Sequence, residues 1–247
     1  MMNREHCEQL DRSDALAPLR QQFDLPSELI YLDGNSLGAL PKATAQRVLR
    51  VVQSEWGHEL IRAWNSAGWM DLPKRVGDKI ARLVGAGPGE LVAADSTSVN
   101  LYKVLSAAAR IVAQDHRSPG VQRRYVVSER SNFPTDLYMA HSVAQQYGLE
   151  LLMVEPHEIG QHIDNQLAIL MLTQVNYRTG RVHDMAAITT QVHAAGALVI
   201  WDLCHSAAAI PVDLKGSDAD FAVGCGYKYL NGGPGAPAFV WVHPRLA

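Results

Sequence analysis

Cysteine is scarce in this sequence of 247 residues. The three cysteines are Cys7, Cys204 and Cys225, an odd number whose spacing matches no zinc-binding pattern. The sequence therefore does not predict a disulfide-stapled fold or a zinc site. Free thiols favour a reducing location, and we expect the protein to be cytoplasmic.

Long hydrophobic runs and an excess of charge of one sign are also missing. The longest apolar run, residues 194–201, is interrupted by Gly196 and is much shorter than the roughly 20 residues of a membrane-spanning helix. The first twelve residues are polar and charged, unlike a secretory signal peptide. The formal net charge is −3 and no stripe of Lys or Arg is present, so neither a nucleic-acid nor a membrane partner is expected.

What remains is the composition of an ordinary globular domain, with 47% hydrophobic and 19% charged residues. Strands are predicted at 91–93, 125–127, 151–154, 168–172, 198–201, 221–223 and 239–242. Helices are predicted at 13–23, 41–56, 73–84, 98–113, 134–147 and 185–195, with a short extended run at 30–32. Near-continuous apolar strands that alternate with helices indicate an α/β fold, in which a mainly parallel sheet carries helices on both faces.

In such a sheet, ligands bind at the carboxyl ends of the strands. Residues able to contact a ligand follow five of the predicted strands: Thr97 and Ser98, Phe133, Thr173, Asp202 and His205, and Tyr227 and Lys228. This convergence predicts a site at one edge of the sheet.

Asp202 ends the apolar run 198–201. A buried carboxylate needs a partner, and either of two roles provides one. Asp202 caps the segment that follows it, or it pairs with the ring nitrogen of pyridoxal 5'-phosphate (PLP) and keeps that ring an electron sink. His205 is either structural or a cofactor contact, and a metal site is disfavoured because no further ligands cluster nearby.

Lys228 follows the predicted strand 221–223 and precedes the glycine-rich loop 231–235. Most lysines are solvated surface charges. A lysine at a strand end beside a glycine-rich loop is instead well placed to hold PLP as a Schiff base. Tyr227 beside it is able to bind the phosphate or to act as an acid.

Two helix starts carry further candidates. The segment 95–101 contains Thr97 and Ser98, and it is either a plain N-cap or an anion site. The segment 132–136 is either a capping sequence with Pro134 at its first turn or a wall of the site, in which Phe133 covers a ring and Asp136 adds a polar contact. The three tryptophans 56, 64 and 69 are expected in the core or at a subunit interface.

Five segments together resemble kynureninase, a fold type I PLP enzyme related to the class V aminotransferases and cysteine desulfurases. They are Tyr-Leu-Asp-Gly-Asn-Ser-Leu-Gly at 31–38, Asn-Phe-Pro-Thr-Asp at 132–136, Asn-Tyr-Arg-Thr-Gly at 176–180, Trp-Asp-Leu-Cys-His-Ser at 201–206 and Tyr-Lys-Tyr-Leu-Asn-Gly-Gly-Pro-Gly at 227–235. The resemblance runs in order along nearly the whole chain.

The resemblance implies a role for each candidate. Lys228 holds the cofactor and moves the Cα proton, Asp202 pairs with the ring nitrogen, and Thr97 and Ser98 lie at the phosphate. The remaining cofactor contacts that it implies are Phe133, Pro134, Thr135, Asp136, Thr173, His205 and Tyr227. Ser36 is implied to line the substrate pocket, and the family's dimeric site implies a homodimer.

The implied reaction is the hydrolysis of L-kynurenine to anthranilate and L-alanine in tryptophan catabolism, on the route to NAD. 3-Hydroxykynurenine is an alternative substrate that would give 3-hydroxyanthranilate. Tyr227 is the candidate for proton transfer when the Cβ–Cγ bond breaks.

Kynureninases continue well beyond the point at which this sequence ends. We therefore expect an N-terminal arm at 1–40 and an incomplete PLP-binding large domain at 41–247, without the C-terminal small domain and its carboxylate-binding arginine. Two alternatives remain: a cysteine desulfurase-like enzyme, although no cysteine follows Lys228, and a non-catalytic remnant that only binds PLP or dimerises.

Overall fold

The computed structural model describes residues 3–114 and 122–247. The strands are β1 Phe23–Asp24, β2 Leu40–Pro41, β3 Leu91–Ala93, β4 Tyr125–Glu129, β5 Glu150–Val154, β6 Leu167–Thr173, β7 Leu198–Asp202, β8 Phe221–Gly224 and β9 Phe239–Val242. The α-helices are α1 Arg4–Ser13, α2 Ala43–Arg50, α3 Ala63–Ser66, α4 Leu72–Ala81, α5 Thr97–Ala113, α6 Pro134–Gln146 and α7 Met185–Ala194.

Within these residues a seven-stranded sheet has the order β3-β9-β8-β7-β6-β4-β5. The pairs β4–β5, β4–β6, β6–β7 and β7–β8 are parallel, and β9 is antiparallel to both of its neighbours, β3 and β8. Since β9 alone reverses, β3, β4, β6, β7 and β8 all end at the same edge. The predicted mainly parallel sheet and its shared edge are confirmed.

Helices cover both faces of the sheet, as expected. On one face α5 and α6 bury residues such as Leu101 and Val143 against Val126, and on the other α4 and α7 bury Ile80 and Val192. Adjacent strand residues point to opposite faces, so Val126 and Val127 belong to different clusters.

The N-terminal part departs from the expectation. The predicted helix 13–23 is wrong: α1 ends at Ser13, and only a short 3₁₀ helix, Ala17–Gln22, follows with Pro18 in its first turn. The predicted run 30–32 pairs with no strand in the described part of the chain, and its Ile30 and Leu32 are 85% and 88% exposed. These residues have no buried face to stabilise a regular element.

Between β2 and β3 the expectation is closer. The predicted helix 41–56 is present as α2, which continues into a π-helical turn at Val51–Trp56, although Pro41 itself belongs to β2. Trp56 and Trp64 are 62% and 47% exposed, so they are not core residues. The division at residue 40 stays a prediction, and β1 pairs with β2 across it. No helix in the described part of the chain is long and apolar enough to cross a membrane.

Candidate active site

A cavity of about 160 Å³ lies at the shared strand edge. It is lined by Ser96, Thr97, Ser98, Phe133, Thr135, Asp136, Asp202, Cys204, His205, Tyr227 and Lys228. Nine of the predicted site residues therefore meet in one place.

Lys228 is buried, because the loop after β8 folds back on itself. The Gly232 N–H donates to the Gly226 carbonyl at 2.9 Å, and the Asn231 N–H donates to the Lys228 carbonyl at 2.9 Å. A Cβ on Gly226 would lie 2.3 Å from the Pro237 carbonyl, so glycine is required there. The loop thus fixes the lysine backbone at the cavity.

The side chain of Lys228 contacts His205, with 2.6 Å between Nζ and Nε2. Burial, and then the positive charge of Lys228, lower the pKa of His205 to about 4. The imidazole is therefore neutral near pH 7, and its Nε2 is able to accept a hydrogen bond from the lysine. Its Nδ1 is buried and has no hydrogen-bond partner among the residues that the structure describes.

Asp202 is buried at the end of β7. Its Oδ1 accepts a hydrogen bond from the Cys204 N–H at 2.9 Å, and its Oδ2 lies 3.2 Å from Thr173 Oγ1. Thr173 faces Asp202 because β6 and β7 are paired in that register. It therefore lies behind the carboxylate and does not line the cavity.

Asp136 is the second buried carboxyl in the cavity. Burial raises its pKa to about 9, and the adjacent negative charge of Asp202 acts in the same direction. Asp136 is therefore protonated near pH 7 and is able to donate to Asp202. Its Oδ2 is buried and has no hydrogen-bond partner within residues 3–114 and 122–247.

Aromatic rings form one wall of the site. The Phe133 ring lies 5.6 Å from Lys228 Nζ, and the Tyr177 ring meets Phe133 edge-on at 5.4 Å. Tyr177 also stacks on His205, with a centroid distance of 5.9 Å and an interplanar angle of 25°. No role was predicted for Tyr177. The sequence signal that could identify Tyr177 as a site residue is its position just after β6, within the segment 176–180.

The start of α5, a helix of 17 residues, forms another wall of the cavity. Ser96 caps it by accepting the Val99 N–H, and Thr97 and Ser98 face the cavity. The first N–H groups of a helix attract anions, so this wall suits a phosphate.

Besides Thr173, two other predicted residues lie outside the cavity wall. Pro134 is exposed in the first turn of α6. Ser36 is exposed in the turn that follows Asp33, although the nearby Gly38 N–H donates to the Tyr227 carbonyl at 2.8 Å. The segment 31–38 therefore packs against the loop that carries Lys228 through the backbone of Gly38. Ser36 does not line the cavity.

The residues present fit PLP. An amine for a Schiff base, a carboxylate for a ring nitrogen, an aromatic face and a helix start for a phosphate surround one cavity. Asp136 Oδ2 and His205 Nδ1 are buried and have no hydrogen-bond partner among the described residues. Buried polar atoms ordinarily form hydrogen bonds, so these two atoms suit the polar groups of a bound ligand.

The sequence matches the Aminotransferase class-V family over residues 73–244, and the chain belongs to that family. It is also 57% identical to the kynureninase of Pseudomonas fluorescens, over all of this chain and 59% of that protein. The kynureninase of Burkholderia pseudomallei strain K96243 is 54% identical over 99% of this chain and 59% of its own length. The predicted resemblance to kynureninase is confirmed, and the chain spans about 59% of the length of these curated relatives.

Among solved structures, the fold is similar to two cysteine desulfurases. That of Thermococcus onnurineus superimposes with a TM-score of 0.73 at 20% identity, over 92% of this chain and 57% of that one. That of Escherichia coli gives 0.72 at 23% identity, over 94% and 59%. The predicted fold type I large domain is confirmed, and family membership and site together support PLP as the cofactor.

Proposed function

We propose that this chain holds PLP on Lys228 and belongs to an enzyme that hydrolyses L-kynurenine to anthranilate and L-alanine, and 3-hydroxykynurenine likewise. The observation that carries the proposal is the buried contact between Lys228 and His205 inside a cavity with two carboxyls. This contact occurs in a chain that is 57% identical, over all of its own 247 residues, to the kynureninase of Pseudomonas fluorescens.

Bound PLP supplies an electron sink that stabilises negative charge at the substrate Cα. Asp202 would hold a proton at the ring nitrogen, because its carboxylate is buried and lines the cavity. Phe133 would cover the ring, and the N–H groups at the start of α5 together with Thr97 and Ser98 would hold the phosphate.

The lysine and the tyrosine at the end of β8 handle protons. Lys228 Nζ moves the Cα proton. The neutral His205 beside it accepts a hydrogen bond from the lysine and adds no positive charge next to it. Burial raises the pKa of Tyr227 to about 12, so this hydroxyl keeps its proton near pH 7 and is able to donate it as the Cβ–Cγ bond breaks.

A desulfurase-like reaction is the second candidate, since the compared structures have that name. It requires an accessible cysteine nucleophile. Cys7 lies on the exposed α1 and Cys225 is buried, both outside the cavity lining. Cys204 lines the cavity but is buried, and its contact with Cys225, together with burial, raises the pKa of its thiol, so it keeps its proton near pH 7. The positions of the cysteines therefore favour the kynureninase reaction.

We also propose that the protein is cytoplasmic and forms a homodimer. Support for the dimer comes from apolar side chains that project from the N-terminal region, among them Ile30, Leu32 and Ile61, all more than three-quarters exposed. Surfaces of this kind mark contact sites.

Borohydride trapping tests the cofactor attachment. Reduction after incubation with PLP should add the cofactor mass to the peptide that carries Lys228, and Lys228→Ala should abolish it. Lys215→Ala is the matched control, because Lys215 pairs with Glu90 outside the cavity. A modified Lys215 with an unmodified Lys228 would contradict the assignment.

Anthranilate fluorescence after addition of L-kynurenine tests the reaction. Release that requires Lys228 would support hydrolysis by this chain. Trapped cofactor without anthranilate would restrict the chain to cofactor binding, and the same assay with the gene's adjoining sequence would then decide the activity of the longer protein.

A further inference from the structure

Asn132 is a buried amide behind the cavity wall, 4% exposed. Its Oδ1 accepts two hydrogen bonds, from the Phe133 N–H at 2.7 Å and from Thr173 Oγ1 at 2.5 Å. Its Nδ2 donates to Ser128 Oγ at 3.1 Å. Asn132 therefore joins β4, the end of β6 and the aromatic wall of the site.

These contacts fix which way the amide points. The Phe133 N–H is only able to donate, so it must face an oxygen and not the NH₂ group. The Asn132 oxygen is thereby directed at Thr173 as well. The orientation follows from hydrogen-bond chemistry and not from the placement of atoms alone.

The Thr173 hydroxyl has one proton and two acceptors within reach. Asn132 Oδ1 is at 2.5 Å and Asp202 Oδ2 is at 3.2 Å. A carboxylate is ordinarily the stronger acceptor, so in the absence of Asn132 the proton would go to Asp202. The shorter distance assigns the proton to Asn132.

We propose that Asn132 is a positioning residue that keeps the Thr173 proton off Asp202, so that this carboxylate keeps its charge for the nitrogen of the cofactor ring. The inference rests on the proposed binding of PLP. It gives a function to a buried polar group that lies outside the cavity lining.

The test loads the chain with PLP labelled with ¹⁵N in the ring and follows the ring-nitrogen signal against pH. In Asn132→Ala the Thr173 hydroxyl turns and donates its hydrogen bond to Asp202. The Asp202 carboxylate then stabilises the proton on the ring nitrogen less strongly. The pH at which the ring nitrogen loses its proton should fall by roughly one unit, the scale of one hydrogen bond to a charged group.

Thr173→Val separates this role from a structural one. Thr173→Val alone should leave the pH midpoint of ring-nitrogen deprotonation unchanged, because the Thr173 proton already lies with Asn132. Combined with Asn132→Ala, it should restore the original midpoint. The other titratable groups around Asp202 are identical in every variant: Asp136, Cys204, His205, Cys225, Tyr227 and Lys228.

Three results would overturn the inference. A midpoint unmoved in a folded Asn132→Ala chain is the first. A midpoint that rises in Thr173→Val alone is the second, and it is decisive even if Asn132→Ala does not fold. A fall that persists in the double variant is the third. Loss of all bound PLP from the unaltered chain would instead overturn the proposed function, and this inference with it.

Discussion

Asp136 should make the stability of the cofactor-free chain depend on pH, and Asp136→Asn should remove that dependence. In the folded chain, burial and then Asp202 raise the pKa of Asp136 from 3.8 to about 9. In the unfolded chain the carboxyl ionises at its ordinary value. Below about pH 4 both states hold the proton, and stability is unaffected.

Between the two pKa values the unfolded chain releases the proton and the folded chain retains it, so the free energy of unfolding falls as pH rises. The slope is about 1.4 kcal/mol per pH unit. Over the 3.2 units from the ordinary value of 3.8 to pH 7, the loss amounts to about 4 kcal/mol. Asparagine has the shape of the protonated acid and does not titrate, so the advantage of Asp136→Asn should grow from nearly zero at pH 4 to this size at pH 7.

Urea unfolding of both chains without PLP, at several pH values between 4 and 8, measures the difference. Tryptophan fluorescence is a suitable signal, because Trp201 and Trp241 are fully buried. Groups distant from Asp136 titrate alike in both chains and cancel in the comparison. Parallel curves of unfolding free energy against pH would refute the reasoning.

Three further outcomes are expected. Gly38→Ala should lower both stability, by about 2 kcal/mol, and cofactor retention, because its Cβ would lie 2.2 Å from the Lys228 carbonyl; unchanged melting and unchanged PLP release would contradict this. Gly77→Ala should destabilise by about 2–4 kcal/mol in urea unfolding, since its Cβ would lie 2.0 Å from the Leu91 carbonyl, whereas Gly160→Ala, with open space around it, is the control and should change little. The imidazole NMR signals of His205 should stay those of the neutral ring from pH 8 down to pH 5 in the cofactor-free chain and change only near pH 4; a midpoint near 6.5 would contradict the burial argument.

Local patterns were enough to predict the fold and most of the site. Apolar runs and turn residues are short-range signals, and they located the strands of the large sheet to within about two residues at each end. Since parallel strands end at one edge, the positions of Asp202 and Lys228 after their strands were enough to predict a shared site. The prediction of an N-terminal helix at 13–23 failed. The elements found there bury no residues, so their sequence carries no apolar periodicity from which a helix could be located.

Only the tertiary structure decided how the site residues meet. The 2.6 Å contact of Lys228 with His205, the stacking of Tyr177 and the placement of Asn132 behind Asp202 depend on strand order and register. Strand order and register set which side chains face each other across neighbouring strands, and the strands that meet here are distant in the sequence. The sequence by itself thus determined which groups reach the cavity edge, while packing decided which of them share protons.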